Sequence, residues 1–267
     1  MKESNGDLVV VWANTVAEAR YTLSVYEQRI ILWLVAQIER KDDALREHKI
    51  GVLEIAEIMG TNGGRIYELF RKACKELVTR PLTLWDEKNK EWITFSWMHE
   101  IRYNPGSGCI TLQFHPRLKD VLINLRERFS TVPLKTVFRL QGGYAIRWYE
   151  MLQSKKYLKT FAMSVEELRQ WLQITDGQLP AVKDLRKRAI DISKAELDHK
   201  ADLTFVYSPT KVGKRITGWK FTVQNNRPRP VQRQLHFPSN EPEPSAEEVA
   251  KAKASLASLK ASLTGGQ

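Results

Sequence analysis

Residues 164–199 read SVEELRQWLQITDGQLPAVKDLRKRAIDISKAELDH. The stretch is a short amphipathic segment, a glycine-containing break and a longer basic segment. Ser164-Val165-Glu166-Glu167 has the S-x-x-E form of a capping box, with serine accepting from a first-turn amide while the glutamate reaches back, so it opens a short helix to about Ile174. Thr175-Asp176-Gly177 makes the turn, and a long helix is expected from about Ala181 to His199. On that helix Leu185, Ala189, Ile192 and Glu196 share one face at helical spacing, and the three apolar residues anchor it. Lys183, Lys187, Ile190 and Lys194 then project elsewhere, with Arg186 and Arg188 beside them. Strands over 203–207 and 216–223 flank a basic turn, Ser208 to Arg215. Helix, turn, helix and hairpin in this order make a winged helix.

Cations near the start of a helix that follows a turn suit docking in the DNA major groove, where arginine reaches guanine bidentately. Lys211-Val212-Gly213-Lys214-Arg215 puts three more cations on a hairpin tip, placed to bridge phosphates or enter a minor groove. A solvated charged face explains the helix alone, but not its position between a turn and a basic wing.

The same order occurs upstream. Ser24-Val25-Tyr26-Glu27 is another capping box, and Ile30, Ile31, Leu34, Val35 and Ile38 predict a wide buried stripe on a core helix to about Glu39. A short helical piece follows over Val52 to Met59, then the glycine-rich break 60–64, then a helix from about Arg65 to Thr79 with Ile66, Leu69, Phe70, Ala73 and Leu77 inward. After Pro81 the period becomes two: residues 82–85, 92–98 and 110–114 read as strands, with Asn104 to Gly108 as a hairpin turn. Leu118 to Phe129 reads as a closing helix. The junction falls around Ser130-Thr131-Val132-Pro133, and the second unit opens with a helix, Tyr144 to Lys155, burying Ala145, Trp148, Tyr149 and Leu152. Arg65, Arg71 and Lys72, with Lys75, give the first unit a weaker positive face, interrupted by Glu68 and Glu76, suited to phosphate contact or a protein interface.

Composition agrees. The 267 residues include 42 Lys and Arg against 31 Asp and Glu, a formal charge of +11, with a pI near 9.6, and such a surplus marks a polyanion partner. Residues 134–225 hold 17 Lys and Arg against 9 Asp and Glu, so most of the excess lies in the second unit. Cys74 and Cys109 are too few for a zinc site or a disulfide framework. The start is polar, and the longest apolar run, Ile30 to Ala36, falls far short of the roughly 20 residues that span a bilayer. A cytoplasmic location and no membrane partner are expected. The histidines at 48, 99, 115, 199 and 236 are scattered and no G-x-x-x-x-G-K-[ST] loop occurs, so neither a metal-dependent nicking enzyme nor a nucleotide site is expected. The reading is of a non-enzyme with no cofactor and no metal.

From Asn225 five prolines (228, 230, 238, 242 and 244) give an extended linker. Ser245-Ala246-Glu247-Glu248 then opens an Ala-rich helix with a narrow seam, Val249, Ala252, Leu256, Leu259 and Leu263, marginal without a partner.

Leu23 to Arg29, Phe138 to Leu140 with Tyr144 to Leu152, Ser164 to Leu172, Lys183 to Leu197 and Asp202 to Phe221 occur in the order found in the iteron-binding plasmid replication initiators (the Rep_3 superfamily), and the chain resembles that family over about residues 8–223. It departs at Trp148, where the family often has leucine, and at Leu185, where it often has an aromatic. The resemblance implies an α+β fold of two tandem winged-helix domains: 1–130 for dimerisation and DNA backbone contact, 131–225 for recognition, with 226–267 a Pro-rich tail and short terminal helix. It implies double-stranded DNA as partner, as tandem origin repeats and an operator inverted repeat. A homodimer in equilibrium with monomer, autoregulation, and recruitment of the host initiator and helicase follow. By motif position Lys183, Arg186, Lys187 and Arg188 read bases or grip backbone, and Lys211, Lys214 and Arg215 contact phosphates. Gln232, Leu235 and Phe237 form a Q-x-x-L-x-F peptide similar to those that bind the bacterial sliding clamp, though three such residues also arise by chance. A winged-helix transcriptional regulator is the alternative from the same fold.

Overall fold

The computed structural model describes residues 9–39, 42, 44–51, 54, 58, 66–86, 89–104, 109–123, 129–175 and 177–227. The chain opens with strand β1 (Val9–Ala13) and helix α1 (Asn14–Glu18). Ser24 then starts α2 (Val25–Ala36): its hydroxyl accepts from the Glu27 amide at 3.3 Å, and the Glu27 carboxylate accepts from the Ser24 amide at 2.6 Å. Glu27 to Val35 are all buried. The helix is therefore enclosed all round, where the spacing had suggested one wide stripe. Glu27 also accepts from Arg80 Nε at 2.7 Å, which ties the start of α2 to the chain just beyond the next helix.

Strand β2 (His48–Gly51) follows, then α3 (Ile66–Leu77), β3 (Pro81–Asp86), β4 (Glu91–Ser96), β5 (Met98–Asn104) and β6 (Cys109–Phe114). The single strand expected over 92–98 is broken at Trp97. That fully buried side chain sits between two strands with different partners: β4 pairs with β3, while β5 joins the sheet β2-β6-β5. On α3, Phe70, Ala73 and Leu77 face the core as expected, but Leu69 is exposed and Cys74 takes the inward position. Most of the expected helical piece 52–59 lies outside the described residues; Glu54 and Ile58 are helical, and Ile58 is buried. The turn 105–108 is likewise outside them.

Of the expected closing helix, residues 124–128 lie outside the described residues. A 3-10 turn (Pro116–Leu118) leads into α4 (Lys119–Leu122), and Phe129 already belongs to β7 (Phe129–Pro133). The expected junction at 130–133 is thus a strand, and it pairs antiparallel with β1 from Val9↔Pro133 to Ala13↔Phe129. Helix α5 (Leu134–Arg139) follows directly, then α6 (Gly143–Lys155), β8 (Thr160–Ser164), α7 (Val165–Leu172), α8 (residues 182–200), β9 (Leu203–Val212) and β10 (Arg215–Asn225). Strand β8 was not expected from its sequence.

The two halves share one plan. Each begins with a strand and a short helix, and in each the strand after the central helix pairs with the last strand. The sheets β2-β6-β5 and β8-β10-β9 correspond position for position, and the hairpin β3–β4 is extra to the first. Their cores join into one apolar cluster. Between them sits Arg147, only 2% exposed. It donates to the Ala19 carbonyl at 2.7 Å and to Glu150 at 2.8 Å, its guanidinium lies 3.6 Å from the centre of the Tyr21 ring, and Tyr21 donates to Glu150 at 2.7 Å. Burial, above all, holds the Tyr21 hydroxyl pKa well above its ordinary value, so it stays a donor. Trp171 Nε1 reaches the Ala17 carbonyl at 2.9 Å, a further bond across the same boundary.

Removing one member of a buried ion pair strands the other charge. Arg147→Ala is therefore expected to lower the unfolding free energy by about 3–5 kcal/mol in urea denaturation, and Arg147→Met with Glu150→Leu to recover much of that loss. Equal losses in both variants would mean that packing, not charge, holds the boundary.

Candidate nucleic-acid interface

The site is built around the turn between α7 and α8. Ser164 caps α7 as expected, accepting from the Glu167 amide at 3.1 Å and donating its own amide to the Glu167 carboxylate at 2.7 Å; that amide, above all, and the Ser164 hydroxyl hold the carboxyl pKa below its ordinary value. The helix ends at Gln173 in the left-handed region (φ 52°), and the turn passes through Gly177 (φ 87°) and Leu179 (φ 49°). Arg169 fixes this path by donating to the carbonyls of Gln178 at 3.1 Å, Leu179 at 2.6 Å and Pro180 at 3.1 Å. Its role was not legible in sequence, where it is one arginine in the last turn of a helix.

Helix α8 is α-helical over Val182–Leu185, passes through a π segment over Arg186–Asp191 and resumes as α over Ile192–Lys200. This changes which residues face inward. Leu185 and Ala189 are buried as expected, but Ile190 is fully buried and Ile192 is 57% exposed, the reverse of the helical-wheel expectation. A π turn closes i to i+5, so one extra residue rotates everything after it by about 100° relative to the helix before it. The buried face becomes Leu185, Ala189, Ile190, Ser193 and Leu197.

Three contacts fix the helix on its scaffold. Trp148 Nε1 donates to the Ala189 carbonyl inside the π segment at 2.7 Å, and its ring packs against Trp171, Phe205 and Phe221 at centroid distances of 5.1, 4.8 and 4.8 Å. Glu196 anchors as a hydrogen-bond acceptor, taking the amides of Gln141 at 2.6 Å and Gly142 at 3.0 Å at the start of α6. A Cβ at Gly142 would lie 2.9 Å from that carboxylate, so a larger residue there would push the carboxylate from its place. Asn226 closes the other end, donating to the carbonyls of Leu197, Asp198 and Ala201 at 3.2, 2.9 and 2.9 Å.

Lys183, Arg186, Lys187 and Arg188 are exposed on the outer face of α8. Arg186 Nε lies 3.4 Å from Asp191, whose other oxygen accepts from Tyr207, so its guanidinium is oriented while remaining about half exposed. Lys194 differs. It pairs with Asp198 at 2.6 Å and is about a quarter exposed, which sets it apart from the cationic stripe.

The wing is a longer ribbon than expected. In place of a turn from Ser208 to Arg215, β9 and β10 stay paired to Val212↔Arg215 and are joined by Gly213-Lys214, with Gly213 at φ 59°. A glycine first in a two-residue loop matches the twist of a hairpin. Lys211, Lys214 and Arg215 are all exposed near this tip. A register shift between Ile216 and Gly218 bends the ribbon, and a Cβ at Gly218 would come 2.4 Å from the Met163 carbonyl oxygen, so the ribbon lies close on β8 there.

In the first domain Arg71, Lys72 and Lys75 are exposed on α3, with Arg71 5.8 Å from the centre of the Tyr103 ring. They lie apart from the α8 stripe in the fold's plan, on the corresponding helix of the other half. Arg65 and the tail residues Gln232, Leu235 and Phe237 lie outside the described residues. Among those described, no group of three or more His, Cys, Asp or Glu is placed to hold a metal, and no helix is long and apolar enough to cross a membrane.

Two winged-helix domains in tandem, with exposed cations on the second recognition helix and its wing, define the class. Residues 9–153 match the family described as Initiator Replication protein, WH1, and residues 164–223 that described as Initiator Rep protein, WH2. The chain belongs to this replication initiator family. It is 26% identical over 231 residues to a replication initiation protein of Escherichia coli, covering 74% of this chain and 72% of that one. Its fold is similar to that of the Pi initiator protein, solved in complex with iteron DNA, with a TM-score of 0.68 at 20% identity, over 84% of this chain and 99% of the other.

Arg169→Ala is expected to speed amide hydrogen exchange across residues 177–186 and to cost about 1–3 kcal/mol in stability, from the charged hydrogen bonds lost. Protection in the first domain should not change. Unaltered exchange around the turn would show that the arginine follows the loop instead of fixing it.

Proposed function

We propose that this protein initiates plasmid replication by binding tandem origin repeats, with α8 in the major groove and the β9–β10 ribbon on the flanking backbone. One observation carries the reading: Lys183, Arg186, Lys187 and Arg188 stand exposed on a helix whose opposite face is fixed by Trp148, Glu196 and Asn226. Family membership supports the replication role, and the Pi initiator, bound to iteron DNA, supports the choice of repeats as target. In this reading Arg188 and its neighbours touch base edges, while Lys211, Lys214 and Arg215 neutralise phosphates.

The first domain serves as a dimer contact and touches backbone through Arg71 and Lys72. The dimer represses its own gene from an inverted repeat, and the monomer recruits host initiator and helicase in the cytoplasm. The protein has no strand-cleaving activity of its own, so supercoiled DNA stays intact with it in the presence of magnesium. The tail peptide at Gln232, Leu235 and Phe237 offers the sliding clamp as a further partner. Leu235→Ala with Phe237→Ala should then abolish capture by immobilised clamp, and capture equal to the parent's removes the clamp from the scheme.

Footprinting on the DNA beside the gene tests the main reading. Protection of tandem direct repeats about two helical turns apart is expected, whereas a lone protected palindrome indicates a transcriptional regulator. Arg188→Ala should lose about 1–3 kcal/mol of specific affinity and relax the preference at one position. Lys214→Ala should weaken binding to all sequences alike and reduce the salt slope by about one. Variants that footprint like the parent would place the contact face elsewhere.

A further inference from the structure

Ile192 is 57% exposed on the outer face of α8, one turn beyond Lys187 and Arg188, and Ala195 is exposed beside it. Scattered apolar side chains on a surface are ordinary, but this one is turned outward by a departure from regular helix geometry. A uniform α-helix would place Ile192 seven residues after Leu185 and three after Ala189, within the buried face. The π segment over Arg186–Asp191 buries Ile190 in its stead and turns Ile192 outward, one turn past the cations at 186–188. Such segments are rare and concentrate at functional sites. Cations answer to phosphates and to guanine; an aliphatic side chain among them answers to neither.

We infer that Ile192 is a specificity-determining residue that contacts the C5 methyl group of thymine in the major groove, with Ala195 completing the apolar surface. The inference rests on α8 being the recognition helix. That methyl is the apolar group that tells thymine apart on the major-groove edge, and apolar side chains recognise it by contact. Ile192 lies about 6 Å along the helix axis from Arg188, so the two address base pairs close to one another, one through hydrogen bonds and one through burial. Its branched Cβ restricts the side chain to few rotamers, which suits a fixed contact.

The probe is a duplex enriched from a random-sequence pool by the full chain, resynthesised with deoxyuridine in place of each thymidine in turn. That exchange deletes one methyl and leaves every hydrogen-bonding group of the pair in place. At one or two positions the parent should bind the uracil duplex about fourfold more weakly, the worth of one buried methyl-sized group. Ile192→Ala should bind thymine and uracil duplexes equally, and should keep the parent's weak binding to unrelated duplexes, which depends on the cations and shows the fold intact. A parent indifferent to uracil at every position, or a uracil penalty of the same size in Ile192→Ala, overturns the role of Ile192. A pool that yields no preferred sequence, with Arg188→Ala indistinguishable from the parent, overturns the recognition-helix reading itself and this inference with it.

Discussion

The orientation of α8 depends on the indole of Trp148. Its ring fills the space between α7 and the sheet, in contact with Trp171, Phe205 and Phe221, and its N–H meets the Ala189 carbonyl at 2.7 Å. Aromatic packing of this kind is worth more than area alone, because ring geometry restricts how neighbours sit. The hydrogen bond falls inside the π segment, where the regular i to i+4 ladder is interrupted and a donor from another element can enter. A cationic helix held only by apolar contacts could slide or roll. One pinned in mid-length by a directed bond, at its start by the Arg169-clamped turn and at its end by Asn226, presents its outer face at a fixed angle. In the proposed complex with DNA, a helix already held at a fixed angle loses less freedom on binding.

The same domain leans on the first through polar groups that have no access to water. Arg147 follows Ile146 and precedes Trp148 on α6, so one turn of a single helix faces α8 and the domain boundary at once. Its bond to Ala19 and its stacking on Tyr21, with the bond that Tyr21 donates to Glu150, give the boundary directionality that apolar packing lacks. The paired strands β1 and β7 add a backbone ladder. The two halves are therefore joined by sheet hydrogen bonds, by the contacts that a buried ion pair on α6 makes with Ala19 and Tyr21, and by a shared core, with the junction strand itself part of the joint.

What was legible in the sequence is what local chemistry determines. The capping boxes at Ser24 and Ser164 announced α2 and α7 because both partners lie within four residues. The burial of Ala145, Trp148, Tyr149 and Leu152 followed from spacing on a regular helix. The failures share a different cause. Strands β1 and β7 pair across some 120 positions, and no window of sequence reports a partner that distant. The distal wing was read as a turn because Ser208 to Val212 are exposed on both faces and so show no alternation. The one-residue slip of the π segment exchanged Ile190 for Ile192 because a helical wheel assumes a constant period. Arg169 and Asn226 bond to backbone carbonyls, which every residue has, so their partners leave no mark in side-chain pattern.

The division of charge between the halves bears on how they share the work. Residues 1–133 carry 19 Lys and Arg against 18 Asp and Glu, while residues 134–225 carry 17 against 9. In the first domain the arginine just beyond α3, Arg80, is held by Glu27 and Glu76, and Glu68 interrupts the cations on the helix. A nearly neutral domain contributes little long-range attraction to a polyanion, so in the proposed DNA complex counterion release and steering would fall to the second. Two copies of one architectural plan thus differ less in fold than in which charges are satisfied internally. In the first, acidic residues hold the arginine just beyond the helix; in the second, acidic residues such as Glu196 and Asp198 lie on the flanks of α8, where they anchor it or pair with Lys194, and leave Lys187 and Arg188 facing outward.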